Sequence, residues 1–163
     1  MPRGAGIVIH LRAEGRLVFG NPLTGKFGPS MPTGHGWLCR PVFSADGRMM
    51  ATGGGDATIR LWDIGSREVQ ATFLGHQAEV TSLAWSPDGK VLASRSKEDH
   101  TVRFWDVAAR QELGVIEEPG DHEVHLMFSP DGTTLAGYVD SPKPVVILWP
   151  APRDEAPGPN GTS

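Results

Sequence analysis

Apolar and polar residues alternate along three similar stretches of the chain, and an Asp-Gly pair interrupts each of them. The stretches are FSADGRMMAT (residues 43–52), WSPDGKVLAS (85–94) and FSPDGTTLAG (128–137). A period of two places successive side chains on opposite faces of a strand. Glycine accepts positive φ at the bend, and in two stretches a proline before the Asp-Gly pair presets φ. Each stretch therefore predicts two antiparallel strands joined by a tight hairpin turn.

Two further strands follow each of the first two hairpins. ATIRLWD (57–63) and TVRFWD (101–106) are rich in β-branched and aromatic residues, which favour strands. After a polar turn, EVQATF (68–73) and QELGVI (111–116) each predict another short strand. Each unit therefore contains four antiparallel strands, which is the composition of a β-propeller blade.

The spacing of the units is nearly constant. The three Asp-Gly pairs recur after 42 and 43 residues. The tryptophans at the ends of the third strands recur after 43 and 44 residues, at Trp62, Trp105 and Trp149. A repeat of this length predicts an all-β fold of antiparallel four-stranded propeller blades.

Two dipeptides accompany these repeats. Gly34-His35 and Gly75-His76 precede the first strands, and Trp62-Asp63 and Trp105-Asp106 end the third strands. In these residues the chain resembles the WD-repeat family of β-propellers, over about residues 15 to 149. The resemblance implies an incomplete ring with these parts: the end of an incomplete blade (1–32), two WD-repeat blades (33–73 and 74–119) and a degenerate blade (120–149). The remainder (150–163) is rich in proline and glycine, and we expect it to be a disordered tail.

The resemblance also implies a buried hydrogen-bond tetrad of His, Ser or Thr, Asp and Trp in each full blade. Such a network lets a buried histidine and aspartate satisfy each other. By motif position the two sets are His35, Thr52, Asp56 and Trp62, and His76, Ser94, Asp99 and Trp105. The third repeat departs from the pattern, because Gly137 replaces the hydroxyl residue and Pro150 follows Trp149. His122 and Asp140 match only loosely, and we expect this blade either to be the loosest or to rely more heavily on its neighbours.

The segment GNPLTGKF (residues 20–27) fits the first part of a phosphate-binding loop, G-x-x-x-x-G-K. That loop needs a Ser or Thr hydroxyl for Mg²⁺ after the lysine, and a helix must follow it. Phe27 occupies the hydroxyl position, and FGPSMP (27–32) is a poor helix start because of its two prolines and its glycine. We interpret the segment as the turn between the third and fourth strands of a preceding blade.

Composition limits the classes of partner and cofactor. A hydrophobic content of 39% and a charged content of 21% are typical of a soluble globular protein, and we expect a cytoplasmic one. The net charge of −4 argues against non-specific nucleic-acid binding. No apolar run is long enough to cross a membrane. Cys39 is the only cysteine, which excludes an intrachain disulfide, and a small buried hydrophobe is its expected role.

No group of residues has the pattern of a catalytic or metal site. His122 and His125 form H-E-x-H, one residue short of the zinc-binding spacing, and on a strand they point to opposite faces. The aspartates of the Asp-Gly pairs are expected to bond their own turns rather than to act in catalysis. We therefore predict no metal, no cofactor and no enzyme activity.

Partner-binding residues are expected on the loops at one end of the blades, as the family resemblance implies. The candidates are Trp37, Glu79, Lys97, Glu98 and His100. Trp37 is the best of them, because exposed aromatic residues dominate interface energetics. The alternative is that Trp37 packs against the neighbouring blade. Arg60 and Arg103 occupy equivalent third-strand positions, where we expect them to be solvated.

The number of blades sets the last expectation. Propellers hold about four to eight blades, whereas about three are encoded here. Either the chain is part of a longer protein with further blades, which we favour, or several copies close a composite ring. The predicted function is a non-catalytic WD-repeat scaffold for a protein or peptide partner. The alternative is the C-terminal sensory or scaffolding part of a larger enzyme, such as a protein kinase.

Overall fold

The fold consists of antiparallel β-strands. The computed structural model describes residues 8–12, 15–118, 122–139 and 145–152. In these residues the strands are β1 (Val8–Arg12), β2 (Arg16–Asn21), β3 (Lys26–Pro32), β4 (Val42–Phe43), β5 (Met49–Gly53), β6 (Ile59–Asp63), β7 (Glu68–Phe73), β8 (Val80–Trp85), β9 (Val91–Ser96), β10 (Thr101–Asp106), β11 (Gln111–Glu117), β12 (Val124–Phe128), β13 (Thr134–Val139) and β14 (Val145–Pro150).

The strands form four sheets in chain order. Sheet 1 is β1-β2-β3, sheet 2 is β4-β5-β6-β7, sheet 3 is β8-β9-β10-β11 and sheet 4 is β12-β13-β14. Among the described residues, every pair of adjacent strands within a sheet is antiparallel and consists of neighbours in the sequence. The predicted all-β fold of antiparallel four-stranded blades is confirmed, with three strands described in the first and last sheets.

Each sheet packs on the next through a cluster of buried side chains. Leu17 and Phe19 of sheet 1 pack with Met50 and Trp62 of sheet 2. Sheets 3 and 4 meet around Phe104. Between sheets 2 and 3 the cluster is Cys39, Ala51, Ile59, Leu61, Phe73, Val80, Leu83, Leu92 and Trp105. Among the described residues no such cluster joins sheet 4 to sheet 1, so the four sheets form an unclosed ring.

The hairpin turns within sheets 2, 3 and 4 share one hydrogen-bond pattern. In the turn of sheet 3, Ser86 Oγ donates to Asp88 Oδ1 (2.7 Å), and the Lys90 amide donates to the same oxygen (3.0 Å). The equivalent bonds around Asp131 lower the pKa of its carboxyl to about 2, the Ser129 hydroxyl being the largest cause. The aspartates of the repeats bond their own turns, and Gly89 at the bend has a φ of 77°.

The segment GNPLTGKF connects two antiparallel strands. Its turn lies between β2 and β3, and the Gly25 amide donates to the Asn21 carbonyl (2.9 Å). Lys26 is the first residue of β3, so a strand follows the lysine where a phosphate-binding loop would have a helix.

The strand ends can be compared with the domain division. β3 ends at Pro32, the last residue of the predicted incomplete blade (1–32), and β7 ends at Phe73, the last residue of the first predicted WD-repeat blade (33–73). The boundary at 119–120 and Asp140 lie outside the described residues, as does the chain after residue 152. The predicted tail (150–163) begins too early, because Pro150 still belongs to β14 and the Ala151 amide donates to the Thr133 carbonyl (3.0 Å). Otherwise the division stays a prediction.

Candidate functional site

The four tetrad residues of sheet 2 are connected by hydrogen bonds. Trp62 Nε1 donates to Thr52 Oγ1 (2.8 Å), and that hydroxyl lies 2.9 Å from His35 Nε2. His35 Nδ1 lies 2.7 Å from Asp56 Oδ1. The strands β5 and β6 bring the tryptophan and the threonine together, and the loop before β4 supplies the histidine.

Sheet 3 repeats this arrangement. Trp105 Nε1 donates to Ser94 Oγ (2.8 Å), which lies 2.7 Å from His76 Nε2. His76 Nδ1 lies 2.7 Å from Asp99 Oδ2. The extra residue in the loop before Asp99 does not displace its carboxylate from the histidine.

The chemistry of the groups gives both tetrads one direction of donation. The indole N–H can only donate a hydrogen bond. The hydroxyl of Thr52 or Ser94 accepts this bond and therefore donates its own hydrogen bond to histidine Nε2. Nδ1 then carries the remaining ring proton and donates to the aspartate. This arrangement suits a neutral imidazole, and burial lowers the pKa of both His35 and His76 despite their aspartates.

Arg60 belongs to the first tetrad rather than to the solvent. Its Nη2 lies 2.8 Å from Asp56 Oδ2, and its Nη1 donates to the Thr33 carbonyl (2.9 Å). Arg103 in the equivalent position of sheet 3 pairs with Glu112 of β11. The expectation of solvated arginines is therefore wrong, because each guanidinium has a carboxylate partner on its own sheet.

Sheet 4 has no counterpart of the tetrad in its described residues. A Cβ atom at Gly137 would lie 2.8 Å from Trp149 Cζ3, so the indole occupies the space of the absent side chain. His122 is exposed to solvent. Packing of Trp149 against the cluster between sheets 3 and 4 takes the place of hydrogen bonding.

Sequence reasoning missed a buried ion pair, Arg95–Glu118. The Arg95 side chain is 0% exposed, and its Nε and Nη2 donate to Glu118 Oε2 at 2.9 and 2.7 Å. The Glu118 amide also donates to the His100 carbonyl (2.7 Å). The ion pair thus ties the connector after β11 to β9, and the amide bond ties it to the loop between β9 and β10. The sequence signal is weak: an arginine inside an otherwise uncharged strand.

The predicted partner-binding residues lie at one end of the sheets. Lys97, Glu98 and His100 form the turn between β9 and β10, and Glu79 precedes β8. Because Val80 pairs with Ser96, Glu79 is adjacent to this turn. Trp37 lies in the loop before β4, where Leu38 bridges to Gly54.

Trp37 borders a cavity of about 330 Å³ between the first strands of sheets 2, 3 and 4. Arg40, Thr81, Glu123 and His125 contribute polar side chains to its wall. Cys39 lies beside it and is buried, and burial raises the pKa of its thiol to about 12. The cavity therefore combines an aromatic side chain with groups of both charges.

The described residues contain no cluster of three or more His, Cys, Asp or Glu side chains that could hold a metal ion. None of the described residues belongs to a helix long and apolar enough to span a membrane.

Comparison with known proteins identifies the repeats. The WD40 family model, described as WD domain, G-beta repeat, matches residues 29–63 and 67–106. The first match covers the end of β3 and all of β4 to β6, and the second covers all of β7 to β10.

Three relatives illustrate the range of similar proteins. Coronin-7 of Mus musculus is 42% identical over 52 residues, which are 32% of this chain and 6% of that protein. Ribosome assembly protein 4 of Chaetomium thermophilum is 39% identical over 89 residues, 52% of this chain and 16% of that protein. The guanine nucleotide-binding protein subunit beta of Oryza sativa subsp. japonica is 37% identical over 76 residues, 44% of this chain and 20% of that protein.

The aligned part of this chain thus spans a fifth or less of the length of each of these relatives. Within that part, the repeat matches agree with the tetrads and the four-stranded sheets. Residues 29–63 and 67–106 of this chain are therefore WD40 repeats, the repeats from which WD-repeat β-propeller proteins are built.

Proposed function

We propose that this chain is a non-catalytic interaction scaffold that binds a protein or peptide partner. The binding surface is the loop end that carries Trp37, Glu79 and the Lys97–His100 turn. The observation that carries the proposal is the exposure of Trp37, whose side chain is 49% accessible. An indole buried between two sheets would be inaccessible, so this exposure supports binding over packing against the neighbour.

The backbone around Trp37 supports the proposal because it is held in place. Its amide donates to the His35 carbonyl (2.8 Å), and the Gly55 amide donates to the Trp37 carbonyl (3.1 Å). His35 is itself fixed by the tetrad. A partner that buries the indole therefore orders little backbone on binding, and this lowers the entropic cost of association.

The charges at this end favour a polypeptide over a nucleic acid. Glu79, Glu98 and Glu123 are acidic, whereas Arg40 and Lys97 are basic. A nucleic-acid surface would be dominated by basic residues. A surface of mixed sign around an aromatic side chain fits a partner with both charged and apolar groups.

The aligned segments are a small part of every relative described above, so we propose that the four sheets act within a larger assembly. Further sheets would come from a longer parent chain or from additional copies. A parent chain that includes an enzyme, such as a protein kinase, is compatible with the same scaffold role.

The test compares two exposed aromatic residues on either side of β4, Trp37 in the loop before the strand and Phe43 at its end. The chain is immobilised, bound proteins from a lysate of the source organism are identified, and one is purified for calorimetry. We expect Trp37→Ala to weaken binding by about 2 kcal/mol or more, as for an interface hot spot. Phe43, exposed beside the hairpin turn at the far end of β4, is the matched control.

The control separates the loop end from the rest of the surface. Phe43→Ala is expected to leave the affinity within a factor of about two, since exposed side chains outside an interface contribute little. Equal affinities of the Trp37→Ala variant and the unaltered chain would contradict the proposed surface.

A further inference from the structure

The start of the loop that carries Trp37 is held by one side chain of β6. Residues 33–38 of the connection between β3 and β4 are called the Trp37 loop below. Arg60 Nη1 donates to the Thr33 carbonyl at the start of this loop (2.9 Å). The guanidinium also lies against Gly34, where an added Cβ atom would be 3.3 Å from Arg60 Cζ. Arg60 therefore contacts the first two residues of the Trp37 loop.

The same guanidinium contacts the tetrad of sheet 2. Its Nη2 lies 2.8 Å from Asp56 Oδ2, and the other oxygen of this carboxylate lies 2.7 Å from His35 Nδ1. Arg60 Nη1 is 2.9 Å from His35 Nδ1. Since Nδ1 donates to Asp56, this last contact brings two donors together and is not stabilising by itself. One aspartate thus serves both the imidazole and the guanidinium.

Sheet 3 lacks this connection. Arg103, in the equivalent position of β10, pairs with Glu112 of β11 instead of with the tetrad aspartate. The group near His76 Nδ1 is the hydroxyl of Thr101, with Oγ1 at 3.3 Å. The contact between a guanidinium and a tetrad histidine is therefore a property of sheet 2, and sheet 3 supplies a matched control.

The charge on His35 decides whether this arrangement is favourable. Among the described residues, the charged groups that act on His35 are Asp56, on the loop after β5, and Arg60, on β6. Burial lowers the pKa of His35, and the charge of Arg60 lowers it further, against the opposing effect of Asp56. Protonation of His35 places a second cation beside the guanidinium, and like charges at this distance repel.

Burial determines which of the two cations moves. The His35 side chain is 0% exposed and is also held by Thr52, whereas the Arg60 side chain is 20% exposed. A charged group next to solvent recovers its hydration when it leaves its partner, and an enclosed one does not. The guanidinium is therefore the group that is displaced.

We propose that Arg60 is the positioning residue of the Trp37 loop, and that protonation of His35 releases the loop by displacing the guanidinium. The proposal rests on the proposed function, in which Trp37 binds the partner. Displacement removes the bond to the Thr33 carbonyl at the start of the loop. Because the Trp37 amide bonds the His35 carbonyl, a change at the start of the loop reaches the indole. Acidification then weakens partner binding before the sheets unfold.

Fluorine NMR of the chain labelled with 5-fluorotryptophan tests the release without a partner. Trp37→Phe and Trp105→Phe assign the two signals of interest. Between pH 7.5 and pH 4.5 we expect the Trp37 signal to shift in one step, with a midpoint below the ordinary histidine value of 6.5. The signal of the buried Trp105 is expected to stay constant through this step. No step, or a step that coincides with loss of the Trp105 signal, would overturn the proposal.

Three arginine variants distinguish positioning from a general effect on the fold. Arg60→Gln removes the cation, and we expect its Trp37 signal to lie at the acid position already at pH 7.5, without a step. Arg60→Lys keeps a cation beside His35 and is expected to retain a step. Arg103→Gln makes the same change in sheet 3 and is expected to leave the step of the unaltered chain intact. A step that persists in Arg60→Gln, or that is lost equally in Arg103→Gln, would contradict the role of Arg60.

Calorimetry with the identified partner at pH 7.5 and pH 5 connects the release to binding. We expect the unaltered chain to bind about five-fold more weakly, or weaker still, at pH 5, a change typical of coupled sites. Arg60→Gln is expected to bind weakly at both pH values. An unaltered chain that binds equally at both pH values would overturn the proposed regulation. Normal binding by Trp37→Ala would instead contradict the proposed function, whereas the fluorine step of the unaltered chain would remain.

Discussion

At the residue scale, the two tetrads show how a histidine and an aspartate are accommodated inside a sheet protein. Both ring nitrogens of His35 and of His76 have a hydrogen-bond partner within 2.9 Å. Burial would raise the pKa of Asp56 and Asp99, but hydrogen bonds from their neighbours, His35 and Thr101 foremost, hold both below the ordinary value. Because a buried polar group costs free energy unless it is paired, we regard the tetrads as structural rather than catalytic.

Trp105 is the tetrad residue with the largest packing role. It is buried, its ring centroid lies 5.2 Å from that of Phe73 of sheet 2, and it donates to Ser94. We expect Trp105→Ala to lower the free energy of unfolding by about 3–5 kcal/mol, through a cavity and an unpaired hydroxyl.

Urea unfolding measures this loss. Trp37→Ala is the control, because the same truncation at an exposed site should cost less than about 1 kcal/mol. A loss below about 1 kcal/mol for Trp105→Ala would contradict the assignment of this tryptophan to the interface between sheets 2 and 3.

At the element scale, the hairpin turns show why alternation and Asp-Gly pairs predicted so much of the fold. The period of two and the turn residues are local properties, so the pattern over 85–94 predicted β8, β9 and their turn. The tetrads were accessible to prediction because their members occupy fixed motif positions.

Other features depend on pairing between distant residues, which a local pattern does not contain. Arg95 and Glu118 are 23 residues apart and meet only after β9, β10 and β11 have aligned. The partners of Arg60 and Arg103 likewise depend on which strands lie side by side. The exposure of Trp37 could not be inferred, because a loop tryptophan has the same neighbours in sequence whether it is covered or not.

Gly89 tests the turn geometry. Its φ of 77° lies in the left-handed region, and a Cβ atom there would have no heavy atom within 4 Å. Gly89→Ala should therefore cost about 1–2 kcal/mol through backbone strain alone. Gly114 of β11 has the same free space without a positive φ, so Gly114→Ala should be neutral or stabilising by up to about 1 kcal/mol.

Thermal or urea unfolding of the two glycine variants gives the comparison. Equal stabilities of Gly89→Ala and Gly114→Ala would show that the positive φ at the turn imposes no cost.

At the scale of the whole molecule, stability is distributed over the interfaces between successive sheets. Sheets 2 and 3 are packed on both faces, whereas sheets 1 and 4 each have one described neighbour. The two central sheets also contain the tetrads, so the most protected part of the molecule includes both buried histidines. Protonation of these histidines therefore affects the whole assembly of sheets.

The pH dependence of stability follows from their lowered pKa values. In the unfolded chain His35 and His76 titrate near 6.5, whereas in the folded protein burial keeps the pKa of both lower. Between these values the unfolded state binds more protons, so the free energy of unfolding falls as the pH drops below about 6.5. We expect a lower urea midpoint at pH 5 than at pH 7.5.

Replacement of both histidines by asparagine is expected to reduce this difference, although it lowers stability at both pH values. An unchanged pH dependence in the double variant would assign the effect to other groups.

The shared hydroxyl of each tetrad has a consequence for how these sheets can evolve. Ser94 accepts a hydrogen bond from Trp105 and donates one to His76. A single change of Ser94 to glycine would therefore leave two buried groups without their hydrogen-bond partner. Sheet 4 has Gly137 at this position, with the indole moved into its place and the histidine outside. Single substitutions that convert the hydrogen-bonded interior of sheet 3 into the apolar interior of sheet 4 are therefore destabilising. We expect such a change to need several substitutions together, or a protein stable enough to tolerate the first one.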